Sequence, residues 1–192
     1  GLIERGLSGV RLVISDAHRG LVAAIRELLL GAAWQRCRVH FTRNAQALVP
    51  RSAAGMVASA IRSIFEQPDE QAASEQLRRV ADGLIGRFPA VAELLTEAEP
   101  DLLVHFTFPE AHRPRIRSTN PQERLNKEIK RRTAVVGIFP TRASLIRLVG
   151  MVLAEQDDEW QDGRRYFLPE SMARIDAILV PEEVSPALLM AS

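Results

Sequence analysis

The run Arg11-Leu12-Val13-Ile14-Ser15 limits the fold more than any other stretch. It is short, apolar and rich in β-forming residues, so it reads as a buried strand, and Asp16 ends it. Ala17-His18-Arg19-Gly20 makes a turn. Leu21, Ala24, Ile25, Leu28 and Leu29 then mark an amphipathic helix that closes near Gly31. Residues Trp34 to Phe41 have period-two features and read as a second strand. Strand, helix, strand in this order predicts a right-handed unit with parallel strands.

After this unit the period changes. From about Thr42 to Leu103 only helical spacing is present. Met56, Val57, Ile61, Ile64 and Phe65 fit one helix, and Leu77, Val80, Ala81, Leu84, Ile85 and Phe88 fit a second. A third covers Ala90 to Ala98 and is closed by Pro100. Residues His105 to Phe108 read as a short strand or extended lead, followed by a basic, proline-containing connector. Leu145, Leu148, Val149 and Val152 mark a long last helix reaching about Trp160. The expected class is α/β and helix-rich. Strand-helix-strand occupies 1–41, a helical insertion 42–110, two further core helices 111–160 and a loosely packed tail 161–192.

The stretch 117–132 reads as a helix with an abrupt start. Asn120 is an expected N-cap, Pro121 suits the first helical position, and Glu123 falls third. Glu123, Asn126, Lys127 and Lys130 share one face; Leu125 and Ile129 lie on another and look core-directed. Taken alone, these residues also fit an ordinary capping box with the surface pairs Glu123–Lys127 and Glu128–Arg132.

Overall charge is nearly balanced, at +1, so the total predicts no nucleic-acid partner. The distribution is less even. Between Arg113 and Arg132 the cations are Arg113, Arg115, Arg117, Arg124, Lys127, Lys130, Arg131 and Arg132, against Glu123 and Glu128. Such a face can follow phosphates, or can be a solvated surface. The single cysteine, Cys37, excludes an internal disulfide framework and suits a reducing compartment. No apolar run is long enough to span a membrane and no secretory signal is visible, which makes a cytoplasmic protein without a membrane partner the expectation.

Few groups suggest chemistry. Asp16 follows a strand directly, where ligands of open α/β sheets gather, and a carboxylate there suits a hard cation. It could equally cap the helix beginning near Arg19. Cys37 and His40 form C-x2-H, too few ligands for structural zinc, and on a strand they would face opposite sides. A buried thiol and a hydrogen-bonded imidazole are the simpler reading. Neither a glycine-rich phosphate loop nor a nucleophile elbow is present.

Together, Val13-Ile14-Ser15-Asp16-Ala17-His18-Arg19-Gly20-Leu21, Cys37-Arg38-Val39-His40 and Ser118-Thr119-Asn120-Pro121-Gln122-Glu123-Arg124-Leu125-Asn126 resemble the Mutator-type transposases of bacterial insertion sequences. The resemblance covers nearly the whole chain in order. It implies a partial ribonuclease-H-like fold with a helical insertion before the last acid of a D-D-E triad. Asp16 would be the second acid and Glu123 the third, holding Mg²⁺ or Mn²⁺. The implied activity is cutting DNA at transposon ends and joining the freed 3′-hydroxyl to target DNA. The implied partners are transposon-end and target DNA and further copies of the chain in a synaptic complex. Arg117, Arg124, Asn126, Lys127, Lys130, Arg131 and Arg132 are the expected DNA-binding residues, and Cys37 and His40 match a family C-x2-H pair of open role.

Residues 1–15 hold no Asp for the first triad position. The chain therefore reads as the C-terminal part of a transposase, inactive by itself. Three alternatives stand beside this. One is a truncated copy that only binds DNA or pairs with intact transposase. Another is a ribonuclease-H-like nuclease completed by a different acid. An inert helical remnant is a third.

Overall fold

The structure, a computed structural model, describes residues 1–162, 167 and 169–179. Two strands, β1 (Leu12–Ser15) and β2 (Ala33–Arg36), pair in parallel, with Leu12 opposite Ala33 and Ser15 opposite Arg36. The helix α1 (Arg19–Leu28) connects them, and the chain turns back through Gly31 at a positive φ of 84°. The expected strand-helix-strand order is present.

The second strand is shorter than its pattern suggests. It stops at Arg36, and Cys37 becomes the N-cap of α2 (Arg38–Ala47). Cys37 N–H still donates to the Ser15 carbonyl at 2.7 Å, while the Cys37 carbonyl already accepts from Phe41 N–H at 3.0 Å. One residue thus closes the sheet and opens a helix. The apolar residues that suggested alternation are better read as a helical stripe: Phe41 and Ala45, four apart, are the buried members of α2.

A helical body follows: α3 (Arg51–Ile64), α4 (Glu70–Ile85) and α5 (Pro89–Leu102). Asp69 caps α4, its carboxylate accepting from Ala72 N–H at 2.8 Å. Val57, Ile61, Ile64, Leu77, Leu95 and Leu102 fill a continuous core with Phe41. Met56 lies off that stripe, 44% exposed. Pro100 does not close α5; it sits in the last turn, where it removes one bond, and the helix runs on to Leu102.

The expected strand at 105–108 is instead a 3₁₀ turn, Val104–Thr107. Its shape follows from a buried latch. Gln35 on β2 is fully buried, and its Nε2 donates to the carbonyls of Leu102 (2.9 Å) and Arg36 (2.8 Å). Its Oε1 accepts from His105 N–H at 2.7 Å. His105 Nδ1 lies 3.2 Å from that same oxygen and 3.1 Å from the Leu102 carbonyl. Both partners are acceptors, so Nδ1 carries the proton. This latch fastens the helical body to the sheet.

The chain continues through α6 (Arg113–Ile116), α7 (Asn120–Val136), α8 (Arg142–Asp162) and α9 (Pro169–Leu179). Within 161–192, expected as a loosely packed tail, α9 is helical and its Ile175 packs with Phe108 and Ile116, against Leu12 and Ile14 of β1. Residues 180–192 lie outside the described residues. The helix α7 packs against α8 and buries no residue fully; Leu125 and Ile129 are half-buried rather than in the core. Among the described residues no helix is long and apolar enough to cross a membrane.

Burial pushes the His105 imidazole down to about 4; the nearby Arg117, Arg113 and Arg38 push the same way, and the Leu102 carbonyl opposes them. Folding therefore favours the neutral ring. The stability this carries is fully present above the unfolded value near 6.5 and is lost as pH falls through about 4. The difference corresponds to roughly 3 kcal/mol. The urea midpoint should fall between pH 6.5 and pH 4, and His105→Gln should flatten that dependence; equal slopes for both proteins would remove the latch from the account.

Candidate active site at the carboxyl ends of the strands

Asp16 leaves the end of β1 with its side chain exposed. The backbone before it is tied on both sides: Ser15 Oγ donates to the Asp16 carbonyl at 2.8 Å and accepts from Trp34 Nε1 at 2.9 Å. The expected alternative, a cap on α1, falls to a neighbour. His18 is the N-cap, its Nδ1 accepting from Leu21 N–H at 3.4 Å. Asp16 Oδ1 accepts one long bond, 3.4 Å, from His18 N–H. Its carboxylate is open to a ligand.

Glu123 reaches the same end of the sheet through Thr119. The expected N-cap, Asn120, is instead the first residue of α7, and Thr119 is the cap, without a side-chain bond to the helix amides. The Thr119 hydroxyl is used elsewhere. It donates to Glu123 Oε1 at 3.2 Å and lies 3.4 Å from Cys37 Sγ. Thr119 N–H adds a bond to Cys37 Sγ at 3.5 Å. Cys37 in turn donates its own N–H to Ser15, the residue before Asp16. Ser15, Cys37, Thr119 and Glu123 thus form a bonded path from the β1 terminus to the helix acid.

His40 completes this arrangement. Because Cys37 and His40 open a helix rather than end a strand, they do not face opposite sides as the strand pattern suggested. His40 Nε2 lies 3.5 Å from Glu123 Oε1, and the two side chains are 35% and 39% exposed. His40 Nδ1 is buried without a hydrogen-bond partner. Glu123 takes His40 in place of the expected Lys127. The Cys37 thiol is fully buried, as expected. That burial pushes it up, but hydrogen bonds from Thr119 and His40 outweigh it and bring the thiol below its ordinary value.

The expected DNA-binding residues separate into two sets. Arg124, Asn126, Lys127 and Lys130 are exposed, and none of the three cations is in an ion pair among the described residues. Arg131 and Arg132 both hold Glu128, at 2.6 and 2.9 Å, and Arg132 also reaches Glu155 at 2.9 Å. Their hydrogen bonds draw the Glu128 carboxyl down to about 2. Arg117 turns inward: Nη1 donates to the Phe65 carbonyl at 3.1 Å and Nε is buried without a partner. Among the described residues no group of three or more His, Cys, Asp or Glu side chains could hold a metal ion. Asp16 and Glu123 offer hard oxygen donors that suit Mg²⁺ or Mn²⁺, but as a pair they are an incomplete set.

Fold and site define a helix-rich α/β protein whose acid-bearing, cation-flanked helix is bonded to the carboxyl ends of a parallel strand pair. The chain belongs to the Mutator family of transposases, whose family model matches residues 1–163. It is 54% identical over 182 residues to the transposase for insertion sequence element IS1081 of Mycobacterium tuberculosis, covering 95% of this chain and 44% of that protein. It is 46% identical over 166 residues to the IS406 transposase of Burkholderia multivorans, covering 86% and 43%. To the IS256 transposase of Tn4001 from Staphylococcus aureus it is 39% identical over 168 residues, covering 86% and 43%. The chain spans less than half the length of these curated relatives.

Thr119 and Ser15 are the positioning residues that motif reading left without a role; their partners lie far away in sequence. Removing the thiol should loosen the path. Cys37→Ala leaves the Thr119 amide without its acceptor and opens a small void, and should cost about 1–3 kcal/mol in urea unfolding. An unchanged midpoint would show that Cys37 does not hold Thr119.

Proposed function

We propose that this chain is the part of a DNA transposase that carries the second and third acids of a D-D-E site, on a ribonuclease-H-like core with a helical insertion. The observation that carries the reading is the bonded path from the β1 terminus at Asp16 to Glu123. It supports setting two acids, about a hundred residues apart in sequence, against one end of the sheet. Family membership supports the same reaction class.

Asp16 and Glu123 would hold Mg²⁺ or Mn²⁺, which supplies activation of the attacking oxygen and stabilisation of the leaving oxygen in phosphoryl transfer. A first Asp is expected from sequence beyond the stretch shared with the relatives. In the reaction, water attacks a phosphodiester at a transposon end and the bond to the 3′-oxygen breaks. The freed 3′-hydroxyl then attacks a target phosphodiester and displaces its 3′-oxygen. Thr119 and His40 hold Glu123 in one orientation; Arg124, Asn126, Lys127 and Lys130 meet the backbone without reading sequence. Joining two ends requires two sites, so a homo-oligomeric synaptic complex on DNA follows.

A second reading, DNA binding without chemistry, is favoured by one observation: among the described residues no third ligand joins the acid pair. Two experiments separate them. In a full-length protein carrying this sequence, Glu123→Gln should reduce strand cleavage to background while duplex binding persists; retained cleavage would remove Glu123 from the triad. Reversing the charges of Lys127 and Lys130 should weaken duplex binding and lower the slope of log K against log salt by about 2. An unchanged slope would assign both lysines to a solvated face.

A further inference from the structure

A second cationic feature lies on the helical body, between α2 and α3. Arg38 and Arg43 on α2 and Arg62 on α3 line a pocket of about 260 Å³, with Thr42, Gln46 and Ala58 among the residues between them. On α2 the spacing 38, 39, 42, 43 and 46 is one helical face, and the core residues Phe41 and Ala45 lie on another. The pocket is thus built by the same packing that joins α2 to α3.

Its cations are not used in the fold as ion pairs. None of Arg38, Arg43 and Arg62 is in an ion pair among the described residues. The polar residues beside them are occupied: Thr42 Oγ1 donates to the Arg38 carbonyl at 2.9 Å, and Gln46 Nε2 donates to the Ala54 carbonyl at 3.2 Å. The Arg38 guanidinium lies over the Phe65 ring at 5.4 Å, and the Arg38 backbone N–H donates to the Arg117 carbonyl at 3.0 Å. Arg117, whose Nε is buried without a partner, adds a like charge near Arg38. Burial and the like charges of Arg117 and Arg62 depress Arg38, opposed by Cys37 and Glu66. Several guanidinium groups held together in a concavity disfavour the free protein and favour an anion bound among them.

We propose that the pocket between α2 and α3, lined by Arg38, Arg43 and Arg62, binds a phosphate group of a DNA backbone. Arg38 follows Cys37 directly, and its amide is bonded to the loop that leads into α7. The pocket is therefore tied to the segment that positions Glu123. A duplex held there gains a second anchor on the helical insertion, independent of Lys127 and Lys130. The inference rests on the DNA partner of the proposed function and not on its metal chemistry.

The test is fluorescence anisotropy of the chain with a duplex of about 30 base pairs over a range of salt. The double variant Arg43→Gln, Arg62→Gln is expected to bind at least about tenfold more weakly, with a salt slope lower by about 1–2. Its urea midpoint should stay the same or rise, because neither side chain is ion-paired and a repulsion is relieved. Unchanged affinity and slope would overturn the pocket; if the Lys127 and Lys130 reversal still weakens binding, the DNA reading survives that failure. Wild-type protein that binds no duplex would overturn both. Stabilisation of wild type, but not of the variant, by inorganic phosphate, with duplex binding unchanged, would also overturn the assignment by showing a free-anion site only.

Discussion

Cys37 is the residue at which the parts of this molecule meet. Its N–H completes the sheet against Ser15, its carbonyl opens α2, and its sulfur takes the Thr119 amide and faces the Thr119 hydroxyl. A thiol suits this place because it is small and apolar enough for complete burial, yet its sulfur can accept an amide N–H and hydrogen-bond a hydroxyl. Through Thr119 the sulfur fixes Glu123, and through Ser15 the backbone fixes the strand that ends at Asp16. His40 comes one helical turn after Cys37 and meets Glu123 from the other side. The C-x2-H spacing has a physical meaning here: one residue anchors the loop before the helix acid, and the other contacts the acid itself.

The Gln35–His105 latch does for the whole body what Cys37 does for the site. A two-stranded sheet of four-residue strands has little surface with which to hold a helical domain. The buried amide of Gln35 takes the end of α5 and the turn after it, and Gln35 Nε2, Gln35 Oε1 and His105 Nδ1 all have partners. Apolar packing holds α3, α4 and α5 to one another; this polar contact sets where they sit on β2.

What was legible in the sequence followed local periodicity. The strand at Leu12–Ser15, the helices with buried Ile25, Ile61 and Leu77, and the strand-helix-strand order were readable because each segment has one apolar face. Errors arose where a distant residue decided the local shape. Cys37 to Phe41 alternates like a strand, but four-residue spacing is also helical, and Ser15 and Thr119 decide between them. Asn120 has the chemistry of a cap, yet the chain enters α7 one residue earlier because the Thr119 side chain is held by Cys37 and Glu123. The 3₁₀ turn at 104–107 depends on Gln35, seventy residues before His105. Among the cations, sequence supplied a basic run but could not sort it. Among the described residues, geometry leaves Lys127 and Lys130 out of ion pairs, gives Arg131 and Arg132 to Glu128, and turns Arg117 toward α3.

The central claim is that Asp16 and Glu123 serve one divalent ion site. It is tested most directly by anomalous diffraction from Mn²⁺ in crystals of a full-length family member carrying this sequence, bound to transposon-end DNA. The account predicts a manganese peak bonded to carboxylate oxygens of both residues, with His40 still against Glu123. A peak that involves neither acid, or Asp16 and Glu123 bound to separate ions with no shared ligand, would contradict it.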